Sequence, residues 1–417
     1  MPSSQRVLTE TEARRIVGDC GFRARASAGS TPRVGVELEW LPVDADDRAR
    51  PARHESVGEV VAALGPLPGA STITFEPGGQ LELSSPPVPG LGACDVLCRD
   101  VGVVTDALAA AGVALVAVGL EPGPPRARVV HNPRYDAMEV FFDRDGTAGR
   151  TMMRSTAAVQ VNLDLGDGDE AERRWRTAHD VGPVLVAAFA NSPLARGRPT
   201  GWRSTRLAVW FDVDPGRTTP VLNGATGPSS WADYALRARV MFVRRSDHES
   251  APTGDDLPFA AWVADGHALG WPTVDDLHYH LTTLFPPVRP RGWLELRMID
   301  AVPDPWWRVA TAVTAALVTE PAILDRVEAA TRPVRGRWRD AARHGLAEPA
   351  LRRAAVECFR SAIETLNGDG SARDATAAFM DRYVTRGRCP ADDRLDAWAR
   401  AGRVEPSPEE GGARAWT

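Results

Sequence analysis

Apolar and polar positions alternate in three segments with the two-residue period of a strand that buries one face. In residues 33–42, RVGVELEWLP, Val34, Val36, Leu38 and Trp40 share one side while Glu37 and Glu39 fall on the other. Residues 157–165, AAVQVNLDL, set Val159, Val161, Leu163 and Leu165 against Gln160, Asn162 and Asp164. Residues 294–299, LELRMI, set Leu294, Leu296 and Met298 against Glu295 and Arg297. A fourth stretch, TITFEPGGQLELS at 72–84, predicts two strands joined at Pro77-Gly78-Gly79, with Glu76 entering the turn and Glu82 leaving it.

Helical spacing covers 9–20, where Thr9 or Thr11 can cap, and then 56–64, 95–111 and 170–190. Residues 113–118 read as a further strand, and 206–213 as a strand or a short helix. The chain is thus strand-rich over 30–300 and helical over 304–385, and 406–417 is a polar tail expected to be disordered. The pattern predicts a single domain over 1–405, of the α+β class, with a mainly antiparallel sheet and flanking helices.

The polar faces of these strands carry the first chemical signal. Alternate residues on a strand lie ~6.6 Å apart on one side. Two carboxylates held ~5 Å apart repel by ~3 kcal/mol at an effective dielectric of about 20. A single E-x-E is more often the wet face of a half-exposed strand. Here the acidic spacing recurs on separate strands, and Glu295 is followed by Arg297, so Glu37, Glu39, Glu76, Glu82 and Glu295 are candidate ligands of a cation. Oxygen-only ligands select a hard ion, and Mg2+ is the usual choice where a substrate adds phosphate oxygens.

Composition narrows the partners. Of 417 residues, 43% are hydrophobic and 25% charged, which suffices for a large core. A net charge of -6 argues against nucleic acid or an anionic membrane as main partner and favours small molecules or protein. All 49 basic residues are arginine, which excludes lysine-based covalent catalysis. Arg134, Arg154, Arg203, Arg206 and Arg217 sit beside loops and strand ends, where a guanidinium can hold phosphate or carboxylate. Phosphate-loop, dinucleotide and zincin signatures do not occur. Five scattered cysteines fit reduced thiols, and no apolar run has the length of a membrane span or the form of a leader, so the chain is expected to be cytoplasmic.

The segments FEPGGQLELSSPP, MMRSTAAVQVNLDL, FANSPLARGRPTGWRSTRLAVWFDVDPGRT and HLTTLFPPVRPRGWLELRMID resemble the glutamate-cysteine ligases of the plant and actinobacterial type, most closely the actinobacterial branch assigned to ergothioneine biosynthesis. The resemblance implies a glutamine-synthetase-like fold, a curved antiparallel sheet whose concave face binds ATP, Mg2+ and glutamate. It implies that Glu37, Glu39, Glu76, Glu82 and Glu295 ligate the metal, that Arg297 and Arg206 act on phosphate or glutamate, and that Gln160, Asn162 and Arg217 face ATP. Arg134, Tyr135 and Arg203 match substrate-binding segments. The implied reaction joins the glutamate γ-carboxylate to the α-amine of cysteine through a γ-glutamyl phosphate. Two alternatives remain on the sequence: a ligase of the same fold with another amine acceptor, and a non-catalytic metabolite-binding relative.

Overall fold

Twelve residues of unbroken strand, β1 (Arg33–Asp44), organise the sheet. The sheet also contains β2 (Thr72–Phe75), β3 (Leu81–Ser84), β4 (Val88–Pro89), β5 (Val113–Val116) and β6 (Ala158–Asp164). Two small hairpins, β7 (Leu194–Ala195) with β8 (Arg198–Pro199) and β9 (Phe242–Ser246) with β10 (Glu249–Pro252), stand apart from it. The last strands are β11 (Val288–Pro290) and β12 (Trp293–Asp300). All pairings are antiparallel, in the order β11-β12-β6-β1-β3-β2, with β4 and β5 also paired to β1. This computed structural model describes residues 7–23, 31–221, 225–246, 249–268 and 270–402, and the tail expected at 406–417 lies outside them.

Helix α1 (Glu10–Phe22) starts at Thr9, whose hydroxyl accepts the Glu12 amide in a capping box. Next come α2 (His54–Ala63), α3 (Gly92–Ala110), α4 (Pro133–Asp143) and α5 (Ala148–Ser155), then α6 (Asp169–Phe189) after β6. The segment that reads as strand or helix is α7 (Thr205–Val213); Ser204 accepts the Leu207 amide and begins it as a helix. Helices α8 (Pro215–Thr218), α9 (Gly227–Arg237), α10 (Phe259–Asp265) and α11 (Val274–Leu281) precede β11. The C-terminal part contains α12 (Trp306–Thr319), α13 (Leu324–Thr331), α14 (Trp338–His344), α15 (Pro349–Thr365), α16 (Gly370–Phe379) and α17 (Pro390–Ala401).

The apolar faces of the strands bury Val36, Leu38, Leu83, Val161, Leu163, Leu294 and Leu296 in one cluster with α6, α12 and α15. The sheet therefore has a covered side under helices and an opposite side that carries its polar residues. One residue breaks the period. Leu296 pairs with Val161 and Ile299 with Val159, so β12 holds an extra residue there, a β-bulge next to Arg297. Among the described residues no helix is long and apolar enough to cross a membrane.

Candidate active site

The polar side of the sheet opens into a cleft of about 890 Å3. Antiparallel register brings its carboxylates together: Glu39 on β1 lies opposite Glu82 on β3, Glu37 lies opposite Gln160 on β6, and Glu295 on β12 lies opposite Asn162 on one side and Arg289 of β11 on the other. Glu76 joins them from the end of β2. Its carbonyl accepts the Gly79 amide to close the turn that Pro77 begins, and Gly79 takes a φ of 80°, which favours glycine. Gly78 is required for another reason, since a Cβ there would lie 2.0 Å from the Arg154 carbonyl oxygen.

Hydrogen bonds hold these side chains in place. The Ala158 amide and the Gln160 side-chain amide donate to Glu39 at 2.9 and 2.8 Å, and Asn162 donates to Glu37 at 2.9 Å. Thr74 and Ser84 hydroxyls donate to Glu82 at 2.8 and 3.2 Å. Glu295, 1% exposed, accepts two bonds from Arg289 at 2.5 and 2.7 Å and one from Arg297 at 2.6 Å. Arg297 also donates to Gln160 at 2.5 Å, and Arg206 donates to the Arg297 carbonyl at 2.9 Å.

The electrostatics divide the carboxylates in two. Burial, then the charges of Glu295 and Glu82, push Glu37 up to about 7. Burial with Glu82 and Glu76 pushes Glu39 up to about 8, and burial with Glu82 pushes Glu76 up to about 7. Burial also raises Glu295, but Arg289 and Arg297 outweigh it and hold that carboxyl well below the usual range. Glu37, Glu39 and Glu76 are thus carboxyls whose ionised form burial and mutual repulsion disfavour and the nearby arginines only partly offset.

Among the described residues no three His, Cys, Asp or Glu side chains already converge as a ready-made ion cage. The fit to a hard cation rests on donor chemistry instead: oxygen-only groups, half-buried, whose mutual repulsion a divalent charge would relieve.

Of the residues expected at the site, Glu37, Glu39, Glu76, Glu82, Glu295, Gln160, Arg134, Tyr135, Arg206 and Arg297 line the cleft. Asn162 stands just behind it, donating to Glu37 and accepting from the Trp293 indole at 3.0 Å. Arg203 and Arg217 do not line it. Arg203 pairs with Asp392 of α17 at 2.7 Å, and Arg217, fully buried, pairs with Asp214 at 2.8 Å and donates to the Thr283 and Arg239 carbonyls. Their guanidinium groups are occupied in packing helices and loops, which corrects the expectation that they meet substrate. Arg154 pairs with Glu139. Sequence reasoning missed Gln80 and Arg289. Gln80 is buried under the turn and donates to the Met153 and Thr156 carbonyls; its signal was a polar residue inside the turn motif itself. Arg289 was legible in VRPRGW, an arginine just ahead of LELR.

The glutamate-cysteine ligase family 2 (GCS2) profile matches residues 33–413. The chain is 44% identical over 376 residues to the glutamate–cysteine ligase EgtA of Mycolicibacterium smegmatis, covering 88% of each chain. It is 30% identical over 308 residues to the chloroplastic glutamate–cysteine ligase of Arabidopsis thaliana, covering 68% of this chain and 58% of that one. A glutamate–cysteine ligase from Francisella tularensis, solved in complex with AMP, superposes with a TM-score of 0.53 at 10% identity, covering 91% of this chain and 86% of that one, and shows the same fold. A match across almost the whole chain, together with a carboxylate-lined sheet of this kind, means that the protein belongs to glutamate-cysteine ligase family 2.

Proposed function

We propose that this protein joins the γ-carboxylate of glutamate to the α-amine of cysteine with consumption of ATP, giving γ-glutamylcysteine, ADP and phosphate. Its resemblance to the actinobacterial branch extends the proposal to ergothioneine biosynthesis. The observation that carries the reading is the row Glu82, Glu39 and Glu37 beside Arg297 and Arg206 on one cleft face, in a chain 44% identical to proteins named glutamate–cysteine ligase.

The chemistry explains why such a face is needed. An amine cannot expel oxide from a carboxylate, so the γ-carboxylate oxygen attacks the γ-phosphorus of ATP and ADP departs. The cysteine nitrogen then attacks the resulting acyl carbon, the C–O bond breaks, phosphate leaves, and the nitrogen loses its proton. Catalysis of this kind is mostly positioning and charge neutralisation. Arg297 and Arg206 offset charge on the phosphoryl oxygens, and Arg297 is aimed by its bonds to Glu295 and Gln160. Arg134 and Tyr135 contribute to the binding of the amino acids. Glu37, Glu39, Glu76 and Glu82, with Glu295 beside them, would hold Mg2+, which supplies positive charge to phosphate oxygens when bound.

The test incubates purified protein with ATP, Mg2+, glutamate and a panel of amines, measuring ADP release and product mass. ADP release with cysteine and a product of dipeptide mass is expected. Turnover only with another amine, or ATP binding without turnover, would remove the assignment.

A further inference from the structure

A run of hydrogen bonds behind the cleft ends on Arg206, a cation inside it. Its origin is Asp300, the last residue of β12, whose side chain has no exposed surface. The β12 bulge brings this carboxylate there. Glu295 lies opposite Asn162 and Asp300 opposite Ala158, so the extra residue between them returns Asp300 to the polar side of the sheet. One of its oxygens accepts the Asn191 amide at 2.9 Å and the Ser192 hydroxyl at 2.7 Å, and the other accepts the Ser204 hydroxyl at 2.8 Å. The fit is close, since a Cβ added at Gly119 would lie 2.4 Å from the Asp300 Cγ. Asn191 is itself pinned: its side chain donates to the Ala117 and Ala301 carbonyls at 3.2 and 2.7 Å and accepts from Arg394 of α17 at 2.6 Å.

The two serines pass this constraint to α7. Ser192 accepts the Arg206 amide at 3.1 Å, and Ser204, the N-cap, accepts the Leu207 amide at 3.2 Å. The Arg206 backbone is thereby fixed in the first turn of the helix. Its guanidinium is fixed at two corners, because Nη2 donates to the Arg297 carbonyl at 2.9 Å and Nη1 lies 3.9 Å from the Asp300 carboxylate. A buried carboxylate is costly, and three neutral donors do not require its charge, whereas a buried guanidinium gains from it. A long flexible side chain that must meet a phosphoryl group also gains from being held in advance. Resting on the ligase reading above, we infer that Asp300 is a positioning residue for phosphoryl transfer: through Ser192 and Ser204 it sets the start of α7, and with the Arg297 carbonyl it aims the Arg206 guanidinium into the cleft.

The experiment takes kcat and each KM from ADP release for the wild type, Asp300→Asn, Arg206→Lys and the double variant, with thermal melts to show which are folded. Asp300→Asn keeps the volume and is expected to lower kcat at least about tenfold, with KM for cysteine within about twofold. Arg206→Lys keeps the charge without the fork and is expected to lower kcat to a similar extent. In the Arg206→Lys background Asp300→Asn is expected to change kcat by less than about twofold, since no fork is left to aim. A carboxylate that only holds loops together would instead cost the same factor in both backgrounds. Should Asp300→Asn fail to fold, Ser192→Ala breaks the run at one hydroxyl and is expected to lower kcat at least about threefold, again only where Arg206 is present. Wild-type kcat in folded Asp300→Asn, in Arg206→Lys or in the fallback Ser192→Ala protein, or a loss undiminished by Arg206→Lys, overturns the positioning role while leaving the ligase intact. No ADP release from the wild type with any acceptor overturns the ligase reading and this role with it.

Discussion

Glu39 of β1 and Glu82 of β3 stand directly opposite each other across an antiparallel pair, both facing the cleft. Like charges in that position destabilise a sheet, which marks a face kept for binding rather than for stability. Glu39→Gln removes the repulsion and keeps the shape. It is expected to raise the melting temperature in the presence of a chelator, by the equivalent of up to about 1 kcal/mol, and to lower turnover at least about a hundredfold. Thermal melts with and without Mg2+, beside ADP release, check both; full activity would take Glu39 out of the proposed metal site.

Glu295 is held on two sides by Arg289 and Arg297. Arg289→Met strands part of a buried charge and should cost about 3 kcal/mol in urea denaturation, with partial recovery in the double variant Arg289→Met/Glu295→Gln. Equal loss in single and double variants would show that the pair is not coupled.

Glycine is required at Gly78 by the Arg154 carbonyl, whereas a Cβ added at Gly58 in α2 would meet nothing within 4 Å. Gly78→Ala is expected to cost at least about 2 kcal/mol and to reduce turnover through displacement of Glu76. Gly58→Ala, by contrast, should stabilise the helix by up to about 1 kcal/mol. A Gly78→Ala protein as stable and active as the wild type would contradict the close approach.

Two buried arginines are expected to separate fold from function. Arg217 braces Asp214, Thr283 and Arg239, while Arg206 lines the cleft. Arg217→Gln is expected to lose about 3 kcal/mol of stability, and Arg206→Gln to lose most turnover with a smaller change in melting temperature. Reversal of that order, read by melts and initial rates, would exchange their roles.

His179 is buried as the neutral imidazole: one ring nitrogen lies 2.9 Å from the Trp175 carbonyl and the other accepts the Val221 amide at 3.3 Å. Burial pushes it down to about 4. A folded-state value below the unfolded one gives stability that is complete above pH ~6.5 and is lost as pH falls toward the folded value, about 2 kcal/mol by pH ~5. Other groups titrate in the same range, so the readout is the difference between wild type and His179→Gln: the variant should lose less stability between pH ~7 and ~5. A difference that does not change with pH would place that proton elsewhere.

The faces of the strands were legible before any fold was known. The two-residue period put Glu37 and Glu39, Glu82, and Gln160 and Asn162 on the polar sides of their strands, and Pro77-Gly78-Gly79 closed the turn, because alternation and turn chemistry are local properties of the backbone. The family motifs extended that to the fold and the reaction. Which groups meet was settled in three dimensions alone. Register set Glu39 against Glu82 and Glu295 against Arg289, and the β12 bulge fell beside Arg297. Packing drew Arg203 to Asp392 and Arg217 to Asp214, away from the cleft. These outcomes depend on partners distant in the chain, whose placement a period of two or of 3.6 residues does not encode.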